Sequence, residues 1–150
     1  MCAVCSRRRQ DAQVLAYALL IAAAVLFFCS KSSFGYPIND WSDANIYFTI
    51  GKGITIREGS DVTLIAAGIM VSEALAAAEQ LAVEGISARV IDMFTLKPID
   101  AELIKLAAAE TGAIVTSEEA NIIGGLGSAV CECVASGCPV PVVRHGVKDE

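Results

Sequence analysis

Along the second part of the chain, apolar residues switch repeatedly between a period of two and a period near 3.6. Ile54-Thr55-Ile56-Arg57 alternates apolar and polar positions, which predicts a short edge strand. Glu58-Gly59-Ser60-Asp61 turns the chain, and Val62-Thr63-Leu64-Ile65-Ala66 follows as a β-branched, mostly apolar run bounded by turn residues, so a buried strand is expected. Val71, Ala74, Leu75, Ala78, Leu81 and Ala82 then fall on one face of a helix, with Ser72, Glu73, Glu79, Gln80 and Glu84 opposite and Gly85 as its stop. The cycle recurs twice. Residues 88–91 predict a strand; Asp100 caps a helix carrying Leu103, Ile104, Leu106 and Ala107 inward, and Gly112 ends it. Residues 113–116 predict a strand, 124–135 a helix closed by Gly137, and 140–144 a last strand in which Pro141 demands an edge position or the strand's start. Strands alternating with helices of this length imply right-handed crossovers and a mainly parallel sheet covered by helices on both faces.

The beginning of the chain follows another pattern. Residues 12–30 hold no charge, and residues 14–29 are apolar throughout. Sixteen helical residues reach about 24 Å, against a hydrocarbon core of roughly 30 Å. Arg7-Arg8-Arg9 ahead of the run supplies the positive flank of a signal or anchor segment, although no small-x-small cleavage site follows. Three readings fit residues 1–36: a membrane or signal segment at 12–30, a buried hydrophobic helix, and a coding artefact. Charge marks the same seam. Of eleven basic residues, Arg7, Arg8, Arg9 and Lys31 lie in 1–36 against Asp11 alone, a net of +3; seven face sixteen acids in 37–150, a net of −9. A net charge of −6 over 150 residues makes nucleic acid an unsuitable partner, since phosphate binding requires clustered Lys and Arg.

Chemistry is sought in the loops that follow the strands, where parallel sheets hold their ligands. The loop after the second strand has one glycine, Gly68, and no phosphate cradle; Asp92 and Lys97 lie in the loop after the third. The most distinctive stretch runs from Ser117 to Ser128. Glu118 and Glu119 are adjacent carboxylates, which alternation along a strand end directs to opposite sides, so they do not share one substrate. Gly124, Gly125 and Gly127 stand before a helix N-terminus, without the G-x-G-x-x-G spacing of a dinucleotide site. An interface role for Glu118, Glu119, Asn121, Gly124, Gly125 and Gly127 is the main expectation, with a phosphate site and simple tight packing as alternatives. His145 is the only histidine, and no nucleophile–base arrangement, P-loop or metal motif is present, so no catalytic or metal-ligating residue is expected. Cys2 and Cys5 have a C-x-x-C spacing without a second ligand pair; with Cys131, Cys133 and Cys138 they are expected to be free thiols.

Several fragments occur together in order: Ile50-Gly51-Lys52-Gly53, Arg57-Glu58-Gly59-Ser60-Asp61-Val62-Thr63, Met70-Val71-Ser72-Glu73-Ala74-Leu75, Ile91-Asp92-Met93, Lys97-Pro98-Ile99-Asp100, and Gly124-Gly125-Leu126-Gly127-Ser128-Ala129-Val130. Residues 37–150 thereby resemble the C-terminal domain of transketolase, in particular the small C-terminal subunit of the split form. Deoxyxylulose-phosphate synthase and the pyruvate dehydrogenase beta subunit end in similar domains. The resemblance implies a three-layer α/β/α fold with about five strands, one of them, the early strand at Ile54–Arg57, antiparallel. It also implies membership of an enzyme that transfers two-carbon ketol units between sugar phosphates with thiamine diphosphate and Mg²⁺. Those groups belong to upstream domains, so no cofactor is expected on this chain alone. Its expected partners are those upstream domains or a second copy of itself, in the cytoplasm; the alternative is a binding or scaffold domain that reuses the fold and is tethered to a membrane through residues 12–30. Two departures accompany the resemblance: Ala120 stands where the family commonly has histidine, and relatives continue beyond Gly146-Val147-Lys148-Asp149-Glu150, so a truncated domain is expected.

Overall fold

The computed structural model describes residues 49–148. The hydrophobic run at 12–30, together with Cys2 and Cys5, lies outside them. Five strands form one sheet: β1 (Ile54–Arg57), β2 (Val62–Ala66), β3 (Ala88–Asp92), β4 (Ile114–Asn121) and β5 (Val142–Val147). Three helices connect them: α1 (Met70–Val83), α2 (Ala101–Thr111) and α3 (Leu126–Ala135). The spatial order is β1-β3-β2-β4-β5. β1 pairs antiparallel with β3, and every other pairing is parallel. The alternating strand with polar faces is thus the antiparallel edge, as expected, because an edge strand satisfies only half its ladder and keeps a wet side.

Alternation along the strands divides the core in two. Val62, Leu64 and Ala66 of β2, Ala88 and Val90 of β3, and Val115 of β4 meet Met70, Val71, Ala74, Ala77, Ala78 and Leu81 of α1. Ile65, Ile91 and Ile114 point the other way, against Ile104, Ala107 and Ala108 of α2 and Leu126, Val130 and Val134 of α3. The layers are one helix, the sheet, and two helices. Alanine dominates the inward stripes of α1 and α2, which lets both helices lie close to a sheet of β-branched residues.

The helical faces differ from the expected ones by a part-turn. In α1, Met70 and Ala77 are buried, Leu75 is half-buried and Ala82 is exposed. In α2, Leu106 points outward at 54% exposure while Ala108 and Thr111 are inside. Leu106 sits some 200° around the helix from Ile104, so once Ile104 takes the centre Leu106 has no core to enter. The strands change more. β4 runs five residues past Thr116, and β5 begins at Val142 and continues to Val147. Pro141, which lacks an N–H, precedes β5 and offers only its carbonyl, to Ile114.

Helix ends follow the sequence signals. Asp100 caps α2, accepting from the Leu103 N–H at 3.2 Å, and Gly112 ends it in the left-handed region at φ 73°. Asp100 is buried and does more than cap. Its other oxygen accepts from the Gly53 N–H at 3.3 Å and lies 3.6 Å from Lys52 Nζ, so one carboxylate joins the start of β1 to the start of α2. Asp100→Ala is expected to lower stability by about 1–2 kcal/mol, the usual cost of losing such a cap, as read from urea unfolding of the full chain. An unchanged urea midpoint would remove this carboxylate from the account.

Candidate functional site

Strands β2 to β5 all end on one edge of the sheet, and β1 begins there. The stretch from Ser117 onward, read from the sequence as a loop, starts as strand. After a register irregularity past Ser117, β4 pairs again with β5 through Asn121 and Val147. Extending the strand carries Glu118 into the protein, where it is 5% exposed.

The Glu118 carboxylate accepts from the backbone N–H groups of Leu126, at 2.7 Å, and Gly127, at 2.9 Å. These are the first two residues of α3, so the side chain neutralises both the free donors and the positive end of the helix dipole. The glycines now have physical reasons. A Cβ on Gly125 would collide with Glu118 Oε2, and one on Gly127 would stand 2.7 Å from both Arg144 Cγ and Thr116 Oγ1. Gly124 takes a positive φ of 79°.

Glu119 goes the other way, as alternation requires. It is exposed, and its carboxylate sits 3.4 Å from where a Cβ on Gly68 would lie, beside the turn that opens α1. The structure therefore separates the two acids. Asn121 Oδ1 accepts from the Ile123 N–H at 2.8 Å, folding the loop back on itself. The Gly124 N–H donates to Ser128 Oγ at 2.9 Å, and Arg144 Nη1 donates to the Ile122 carbonyl at 3.0 Å. Of the six residues singled out, Glu118 is consumed inside the domain, Gly125 provides its clearance, Gly127 gives room to Arg144 and Thr116, and Glu119, Asn121 and Gly124 lie around the outer loop.

This arrangement bears on the phosphate alternative. An anion at the start of α3 would need the N–H groups of Leu126 and Gly127, and the chain's own carboxylate already holds them. A phosphate or diphosphate does not fit there without displacing Glu118. Among the described residues, no three His, Cys, Asp or Glu side chains converge to hold a metal ion. Cys131, Cys133 and Cys138 are half-buried and form no disulfide. No described helix is long and apolar enough to cross a membrane.

Sequence reading missed two features of the same edge. Ser117 Oγ and His145 Nδ1 are 3.2 Å apart, joining β4 to β5 across 28 residues of chain. Burial lowers the His145 pKa below its ordinary 6.5, favouring the neutral ring. Asp92, at the end of β3, has Oδ1 buried without a hydrogen-bond partner. Only the position of Asp92 after an apolar strand hinted at its burial; nothing local marked the Ser117–His145 pair.

Two substitutions test these readings. Glu118→Gln replaces one acceptor oxygen with an N–H₂ facing a backbone N–H, and should cost about 2 kcal/mol in urea unfolding. Gln tolerated without loss would mean that the helix start does not rely on the carboxylate. Burial raises the Asp92 pKa above its ordinary 3.8, so the folded chain holds this proton more tightly than the unfolded one. The stability this group contributes is full below pH 3.8 and is lost as pH rises through the raised value. Asp92→Asn is therefore expected to be more stable than wild type at about pH 7, with the gap narrowing toward about pH 4. A gap independent of pH, followed by thermal unfolding across that range, would contradict the assignment.

Comparison with known proteins matches this geometry to a family. The sequence model described as "Transketolase, C-terminal domain" covers residues 51–150. The chain is 55% identical over 105 residues to 6-deoxy-6-sulfo-D-fructose transketolase subunit SqwH of Clostridium sp. (strain MSTE9), covering 70% of this chain and 33% of that protein. It is 48% identical over 103 residues to an apulose-4-phosphate transketolase subunit of Phocaeicola vulgatus, covering 69% and 33%. It is also 48% identical over 103 residues to a putative transketolase C-terminal section of Methanocaldococcus jannaschii, covering 68% and 32%. Among solved structures, a split-gene transketolase described as an inactive beta4 tetramer superposes with a TM-score of 0.69 at 55% identity, covering 69% of this chain and 34% of that one. The chain spans about a third of the length of these relatives.

Proposed function

The chain belongs to the transketolase C-terminal domain family, and from that premise we propose that it is a non-catalytic assembly domain of a transketolase-like enzyme. The observation that carries this reading is the match of the whole described fold, at 55% identity, to one third of a transketolase subunit. The remaining two thirds of such a subunit have no counterpart in residues 51–150, which the family model takes as the C-terminal domain alone. In this reading the enzyme moves a two-carbon ketol unit between sugar phosphates, in the cytoplasm. Thiamine diphosphate with Mg²⁺ would supply the carbanion chemistry, in the upstream domains of that enzyme.

What this chain contributes is structural. Glu118 occupies the Leu126 and Gly127 N–H groups at the helix N-terminus beside the glycine-rich loop, so a diphosphate would have to displace it from them. Ser117 Oγ does lie 3.2 Å from His145 Nδ1, but Ser117 is buried in the sheet at 6% exposure, and we read the pair as a tie between β4 and β5 rather than a nucleophile with its base. The domain is thus suited to hold other domains in place.

The direct test is co-expression of the full chain with a polypeptide bearing the upstream transketolase domains. Co-purification and ketol transfer from a ketose phosphate are expected, together with no heat when thiamine diphosphate and Mg²⁺ are titrated into the chain alone. Absence of both co-purification and transfer would refute the assembly role, and cofactor binding by the isolated chain would refute the non-catalytic one.

A further inference from the structure

Seven large apolar side chains are exposed among the described residues, and five of them share one edge. Ile69 (59% exposed) follows β2, Leu96 (40%) follows β3, Ile123 (63%) follows β4, and Val147 (56%) ends β5. Ile50 (79%) completes the row. It precedes β1, and its neighbour Gly51 donates its N–H to Thr95 Oγ1 at 3.1 Å, which ties it to the Leu96 loop. Ile123 and Val147 are tied in the same way, since the Ile122 N–H donates to the Val147 carbonyl at 3.0 Å. The other two, Val83 and Leu106, lie at the far end of α1 and on the outer face of α2. The row crosses all five strands, roughly 20 Å at the usual strand spacing.

We propose that this carboxyl edge is the face on which the upstream part of a transketolase subunit docks, a surface that rests on the assembly role proposed above. The path of the chain identifies the occupant. Because β1 runs antiparallel, the polypeptide enters the domain at the same edge at which the other strands end, through Ile50–Gly53 leaning on Thr95, Pro98 and Asp100. The family match begins at Gly51, and in relatives three times as long the polypeptide before that point is tethered here. The chemistry of the edge agrees. Its one helix N-terminus in the glycine-rich loop is self-capped, which leaves apolar side chains for recognition. The exposed charges beside the row are Lys52, Lys97 and Lys148 against Glu119, and Lys52 Nζ lies 3.6 Å from the buried Asp100 carboxylate, so the positive excess is small. An apolar row interrupted by mixed charge suits a protein surface.

The probe is the upstream two thirds of the Clostridium subunit SqwH, in a preparation that the last third of SqwH, added as a separate chain, captures. Full-length wild-type chain, the double variant Leu96→Asp/Ile123→Asp, and Val83→Asp as an apolar-to-acid change at the opposite edge are compared for capture. Thermal unfolding shows that each is folded, and sedimentation gives its oligomeric state. Capture by wild type and Val83→Asp, with affinity at least about tenfold weaker in the double variant, is expected. Equal capture by all three would overturn the surface and leave the assembly role intact. No capture by the wild type would overturn both. Self-association of the wild type that is abolished in the double variant, with capture unaffected, would assign the edge to a second copy of this chain and overturn the proposal.

Discussion

A single carboxylate governs the end of the domain at which the strands finish. Glu118 leaves the surface at the end of β4 and enters the start of α3, where two backbone N–H groups have no partner within the helix. A charged acceptor on two such donors is worth more than a neutral contact, and burial removes competing water. Much follows from that placement. β4 must extend past the point where its apolar pattern stops, Gly125 must lack a side chain, and Gly127 must let Arg144 and Thr116 come close. The loop between is then short enough to be tied by Asn121, Ser128 and Arg144.

Asp100 serves the neighbouring end of the sheet in the same manner. It joins the cap of α2 to the backbone just before β1, so the antiparallel edge strand is anchored where the chain enters. Two buried acids therefore organise the carboxyl edge by satisfying backbone donors. Neither is left with a vacant geometry for substrate. That is the physical sense in which this end of the domain resembles a mounting surface. Two of its acids face inward, while five of its large apolar side chains face outward.

Legibility in the sequence was uneven for identifiable reasons. The elements with pure periodicity, β1, β2 and α1, were placed to within a residue or two, because hydrophobic spacing reports which side of an element is covered. Capping by Asp100 and the stop at Gly112 were legible because both signals are local. The end of β4 was not. Ser117-Glu118-Glu119-Ala120-Asn121 is polar, and nothing within it shows that β5 lies alongside or that a helix start awaits Glu118. The opposed directions of Glu118 and Glu119 were foreseen, since alternation is a property of the strand itself. The interior destination of Glu118 was not foreseen, since it depends on a helix eight residues later folding back.

The amino-acid sequence by itself determined the alternation of strands and helices, the edge character of the first strand, and the family resemblance that the comparisons bear out. Each of these rests on local chemistry: side-chain period, capping residues, and short motifs kept in order. Tertiary structure decided which side of α2 faces the sheet, which acid is buried, and the meeting of Ser117 with His145. It also gathered Ile50, Ile69, Leu96, Ile123 and Val147 onto one edge. Those outcomes depend on strand order, and strand order joins residues that no local pattern connects.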